Sequence, residues 1–216
     1  TSLASVTIPE SVTKIRTQVF KDCTSLESVV VAEGNPVYDS REGCNAIVET
    51  KTNALVCGCK SSIIPESVTE IKSEAFFHCT TLKSFTIPDS VTEIGDGAFS
   101  ACTSLESITI PESVIYVGNF IGCTSLESIA IPKSATSIGS FSKCTSLKSI
   151  KIPEGVTHIG HFDDCTSLES VTIPEGVTKL YHWTFSCCTS LKSITIPKGV
   201  KEIKYAAFID CKALKT

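Results

Sequence analysis

The chain has 216 residues, 42% of them hydrophobic and 19% charged, with a formal net charge of −4. That is ample for a continuous core, whereas the interleaved acids and bases, with no Lys/Arg cluster beyond a couple of residues, exclude a basic nucleic-acid surface. No apolar run approaches the ~20 residues that a membrane span needs.

A first short strand is predicted at Ser5–Ile8, where β-branched residues alternate with Ser and Thr until Pro9 stops the ladder. The phrase then returns along the chain, its last strand residue falling at Ile8, Val31, Ile64, Ile87, Ile110, Ile131, Ile152, Ile173 and Ile196. The spacings are 23, 33, 23, 23, 21, 21, 21 and 23 residues, so there are nine units. The second unit carries ten extra residues, within Glu33–Cys59. There NAIVETKTNALV reads as two short strands about a Thr50–Asn53 turn, a hairpin. Its register back into the repeat stays open, because Ser62 falls where an inward Val is expected. Further on, three adjoining units are trimmed by two residues, at Gly118–Gly122, Gly139–Lys143 and Gly160–Asp164. That predicts a local change in curvature through the middle. The chain contains no Met and opens and closes within the repeat, at TSLASVTIPESV and CKALKT. It reads as a processed protein or a piece of a longer array, and its lack of a targeting segment says nothing about location.

One unit cannot bury enough apolar surface to offset the cost of ordering its own backbone, but stacked units bury their flat faces against each other. The expected fold is therefore a right-handed parallel solenoid over residues 1–216, with one short strand per unit and the remainder mostly loop. The consensus L-x-x-[VI]-x-I-P-x-x-V-x-x-I-G-x-x-A-F-x-x-C, as in LKSFTIPDSVTEIGDGAFSAC from Leu82, resembles the leucine-rich repeats of the BspA-like, or Treponema-type, family. The Glu33–Cys59 insertion also looks like a variant unit found among such proteins in gut anaerobes. The resemblance covers essentially the whole chain. It implies a cell-surface or secreted protein, with some members similar to adhesins that bind host matrix or plasma proteins.

Two columns run through the units. Cys23, Cys79, Cys102, Cys123, Cys144, Cys165, Cys188 and Cys211 stack with parallel Cβ vectors, which suits buried free thiols better than disulfides or a tetrahedral metal site. Cys44, Cys57, Cys59 and Cys187 lie off the column, and Cys44 with either Cys57 or Cys59 is the one plausible bridge. The second column, Phe20, Phe76, Phe99, Phe120, Phe141, Phe162, Phe185 and Phe208, reads as a spine of core rings.

Catalysis has little to draw on. No G-x-S-x-G elbow occurs, and the recurrent Ser appears in all nine strands although an active site is singular. His158 and His161 beside Asp163 and Asp164 flank Ile159, which should point inward, so exposed loop polarity is the plainer reading. No catalytic, metal or cofactor site is expected.

What remains is surface. On the strands, Ser and the middle residue face outward, forming a lawn of small hydroxyls with mixed charges on one margin and a mostly acidic ridge beyond each Pro. Candidate contacts on that face are Ser107, Thr109 and Lys151. The other candidate site is aromatic: Tyr181 and Trp183 in LYHWTF, with Tyr205 one unit later. Two functions compete. One is a non-enzymatic binding or adhesion module meeting a macromolecule, neither nucleic acid nor membrane; the other is a structural spacer within a larger surface protein.

Overall fold

The computed structural model describes residues 2–215. They form a β-solenoid of short strands and turns, with a 3-10 turn at Arg41–Gly43. Alternating Ser/Thr and Ile/Val suits a strand with one wet face and one buried face. The first ribbon pairs Ser5–Ile8 with Ser28–Val31, Ser84–Thr86 with Ser107–Thr109, and Ser149–Lys151 with Ser170–Thr172 and Ser193–Thr195. All these pairings are parallel and set equivalent repeat positions opposite each other, Ser149 opposite Ser170 and Ser170 opposite Ser193. Two expected strands differ. Ala130 meets Lys151 in an isolated parallel bridge, and Ser61–Ile64 joins no ladder.

Each coil from Glu70 onward also carries a second, two-residue strand that the sequence pattern does not announce. Glu70–Ile71 pairs with Glu93–Ile94, Tyr116–Val117 with Ser137–Ile138 and then His158–Ile159, and Lys179–Leu180 with Glu202–Ile203. This ribbon breaks where the unit length changes, since the trimmed coils form a sheet of their own. The turns supply the reason. A long unit reverses through two left-handed residues, Gly97 and Ala101 or Trp183 and Cys187; a trimmed unit keeps one, Gly122, Lys143 or Asp164. The two-residue deletion thus removes one left-handed reversal and shortens that side of the coil, so neighbours of different length cannot stay in register on both ribbons.

The insertion is the expected hairpin. Ala46–Glu49 runs antiparallel to Ala54–Gly58, and the Asn53 amide closes the turn on the Glu49 carbonyl at 2.9 Å. Tyr38–Asp39 adds a third antiparallel strand, while Ala54–Gly58 continues into the second ribbon beside Glu70–Ile71. Val56 is left out of the pairing, a bulge that flips side-chain parity. As a result Ala46, Val48 and Leu55 face the main core, and Ile47, Cys57 and Cys59 face a smaller core under the first two coils. The hairpin is thus a wall buried on both sides. It also explains the missing strand: the outer amides of Ser28–Val31 donate to Asn45 Oδ1 (from Val29, 2.7 Å) and to Ser40 Oγ (from Val31, 2.9 Å), so Ser61–Ile64 has no partner there. Ser62, in its Val position, donates to the Asn45 carbonyl at 2.6 Å and accepts the Cys59 amide at 2.8 Å.

In the main core the phenylalanine column is a continuous stack from Phe76 to Phe208, with neighbouring centroids 5.2–5.8 Å apart and rings within 11° of parallel. Phe20 stands outside it, packed against the smaller core. The cysteine column has its own ladder. Cys102, Cys123, Cys144, Cys165, Cys188 and Cys211 each point Sγ at the Phe carbonyl of the preceding coil, 3.0–3.2 Å away. All twelve cysteines are free thiols. Cys44 packs on the opposite side of the hairpin from Cys57 and Cys59, so a bridge from it to either would have to cross the wall.

Candidate functional site

The aromatic candidates sit in the turn that follows the second ribbon. Tyr181 is 40% exposed, Trp183 52% and Tyr205 72%; the other large apolar side chains exposed on the described residues are aliphatic, such as Ile63 and Ile115. Tyr181 takes the place where four other coils have glycine and the rest a lysine or arginine. At Gly95, Gly139 and Gly160 an added Cβ would lie 2.3–2.6 Å from the preceding coil, so glycine there permits close stacking and a larger residue stands proud. Trp183 has φ +60°, the left-handed region that Gly97 occupies in its own coil. A bulky residue is uncommon there. Its amide donates to the Tyr205 carbonyl at 3.3 Å and its carbonyl accepts the Ser186 amide at 3.0 Å, which locks the turn. His182 lies between the other rings, 5.9 Å from Trp183 and 6.5 Å from Tyr205, both tilted. Lys179 Nζ sits 5.5 Å over the Tyr181 ring and pairs with Glu202 at 2.8 Å. The cluster thus joins exposed apolar area to fixed charges.

The other candidates lie on the first ribbon. Ser107, Thr109 and Lys151 are exposed on its outer face, in a different part of the coil from the aromatic turn, so the six residues form two sites. Six of the margin charges of that face pair across coils: Lys60 with Glu27, Lys148 with Glu127 and Lys192 with Glu169, at 2.6–2.8 Å. Lys192 holds the Glu169 carboxyl below its ordinary value by hydrogen bond and charge. Beyond the Pro, the acidic ridge is exposed throughout, from Glu10 to Glu175.

The histidine-rich stretch offers no assembled centre. Ile159 is 3% exposed and separates His158 from His161, while Asp163 already accepts a hydrogen bond from Ser142 Oγ. At the seam, Cys57 and Cys79 both approach the Gly58 carbonyl, at 3.7 and 3.9 Å, and burial raises both thiols above their ordinary value. Among the described residues no three His, Cys, Asp or Glu side chains converge to hold a metal ion.

Parallel ribbons, a phenylalanine spine and a column of buried leucines at Leu82, Leu105, Leu126, Leu147, Leu168 and Leu191 define a leucine-rich-repeat solenoid, a kind of fold that generally serves as a scaffold. The model of the BspA type leucine-rich repeat region matches six copies over residues 1–41, 54–161 and 114–216, and the chain belongs to that family. The unmatched stretch, residues 42–53, falls within the hairpin insertion. Among solved structures the chain is similar to a leucine-rich repeat protein of T. pallidum, with 29% identity and TM-score 0.68 over 78% of this chain and 86% of that one. A leucine-rich repeat protein of Bacteroides ovatus is 34% identical with TM-score 0.68, covering 82% of this chain and 50% of that one. The pneumococcal vaccine antigen PcpA, at 22% identity and TM-score 0.57 over 94% of this chain and 51% of that one, shares the fold. This chain therefore spans about half the length of the last two. No curated protein matches it. No helix of the described residues is long and apolar enough to cross a membrane.

Proposed function

We propose that the chain is a non-enzymatic protein-binding module of a cell-surface or secreted bacterial protein, acting in adhesion to a macromolecule such as a host matrix or plasma protein. The observation that carries this reading is the exposed Tyr181–His182–Trp183–Tyr205 cluster, with Trp183 held in left-handed backbone at an exposed turn. A repeated surface is self-similar and supplies area without register, so selectivity falls to the residues that break the repeat. Exposed aromatic rings are the groups most often found to anchor such contacts.

Pull-down of a panel of host matrix and plasma proteins with this chain tests the proposal. Trp183→Ala with Tyr205→Ala is expected to weaken a captured partner at least tenfold, since anchors of this type cost ~2 kcal/mol or more on truncation. Ser107→Ala with Thr109→Ala should leave capture nearly unchanged. The reverse ranking would move the site to the sheet face. No capture across the panel would favour the structural-spacer reading.

A further inference from the structure

A second place where the repeat is broken lies on the sheet face, and three of its departures coincide. The outward column of the first ribbon reads Thr7, Val30, Ile63, Thr86, Thr109, Ala130, Lys151, Thr172 and Thr195: Ala130 is its smallest member and Lys151 its only charge. Along the ridge beyond each Pro, Lys133 interrupts a run of acids from Glu66 through Glu175. Ala130 and Lys133 belong to one coil and Lys151 to the next, and those two strands are joined by the single bridge Ala130–Lys151. The result is an open notch of about 520 Å³ floored by Ala130, Pro153 and Gly155 over the largely buried Ile129 and Ile131, and rimmed by Lys133, Lys151 and Glu154.

Charge sets this notch apart because it brings two unpaired lysines to one place, whereas Lys83 is the one margin lysine of the face that makes no ion pair among the described residues. The margin lysines Lys60, Lys148 and Lys192 are each spent on a glutamate of a neighbouring coil. Lys133 and Lys151 make no ion pair among the described residues. Two unpaired ammonium groups beside an apolar floor leave their charge available to an anion, and the floor has room for a short aliphatic side chain. Glu154 on the rim, with Glu112 and Glu175 on the coils either side, sets a limit on that anion. Such a rim favours a single carboxylate, whereas an extended polyanion would run along the acidic ridge and be repelled.

We propose that the Ala130 notch is a binding subsite for an acidic peptide segment of a protein partner, one aspartate or glutamate carboxylate meeting Lys133 and Lys151 and a neighbouring aliphatic side chain resting on Ala130 and Pro153. The proposal rests on the reading of the chain as a protein-binding module, but not on the aromatic cluster.

The test uses amide chemical shifts of the whole chain titrated with acetyl-Leu-Asp-amide, and in parallel with acetyl-Leu-Asn-amide and a heparin oligosaccharide. The aspartyl peptide is expected to bind in the millimolar range, moving the amides of Ala130, Lys133, Lys151 and Gly155, and to weaken as salt rises. The asparaginyl peptide should bind at least tenfold more weakly. Lys151→Thr and Lys133→Glu install residues that the repeat itself uses at those columns, so they preserve the fold, and each is expected to weaken the aspartyl peptide about tenfold. Equal response to the two peptides, heparin moving the same amides more strongly, or unchanged binding in both variants would each overturn the proposal. Because the readout is local to these coils, the notch can fail while the aromatic cluster still captures partners, and the converse.

Discussion

Raising the pH is expected to unfold the solenoid through its cysteine column. Cys102, Cys123, Cys144, Cys165 and Cys188 are 0% exposed. Burial pushes Cys123 and Cys165 from an ordinary value of 9.0 to about 12, and Cys102, Cys144 and Cys188 also lie well above it. The sign follows from which state can lose the proton. Below about pH 9 the thiols are protonated in both states and their contribution is complete. Above it the unfolded chain ionises while the folded chain cannot, so stability is lost progressively as the pH climbs toward the folded values. At about pH 10 each thiol favours unfolding by about 1.4 kcal/mol. Five of them together approach 7 kcal/mol, comparable to the whole stability of many domains. Thermal melts under reductant should therefore fall by roughly 15–25 °C between about pH 8 and pH 10. Cys123→Ala or Cys165→Ala removes one titrating group, so either variant should lose about 1.4 kcal/mol less stability over that interval, although both start lower at neutral pH. If these variants show the same alkaline loss as the parent chain, the thiols are not the cause and the reasoning is wrong.

Truncating the spine should cost stability according to position. Phe141 is 0% exposed and stacked on both sides, so Phe141→Ala is expected to cost about 4 kcal/mol. Phe208, half-buried with Phe185 on one side, should cost less than half of that in the same denaturant titration, and equal costs would refute the stacking argument. At Ser62 the repeat's own preference misleads: Ser62→Val restores the consensus apolar residue yet strands the Asn45 carbonyl and Cys59 amide. It should destabilise by roughly 2 kcal/mol, and a gain in stability would show that those bonds contribute nothing.

The columns were legible because repetition converts sequence position into spatial position: nine near-copies place Phe over Phe and Ser beside Ser. The family resemblance on those residues agrees with the match over most of the chain. The hairpin was legible from its alternation and turn. Its return register was not, since it depends on the Val56 bulge and on Asn45 and Ser40 reaching back to another strand, contacts with no periodic signature. The second ribbon escaped because two residues are too few to show a period. For the sites, exposure of Trp183 followed from its place outside the inward set, and Gly97 in the same turn position was the available clue to its left-handed backbone. The notch around Ala130 required knowing that adjacent strands there meet at one bridge.

The hairpin wall also has a mechanical consequence. The coils from Glu70 onward are tied to neighbours largely by backbone ladders, but the first two coils are tied to the wall through side chains: Asn45 to Val29, Ser40 to Val31, and Tyr38 Oη to the Ile15 amide at 3.1 Å. Side-chain links rotate and lengthen under load, where a ladder shares it among several backbone bonds. A solenoid stretched between its ends, as a tether under flow would be, should therefore yield first at this seam, releasing the leading forty or so residues as a discrete step before the phenylalanine-stacked coils give way. Single-molecule pulling would show a short first contour-length increment, which Asn45→Ala should bring to lower force; a first rupture that does not move with Asn45 would place the weak point elsewhere.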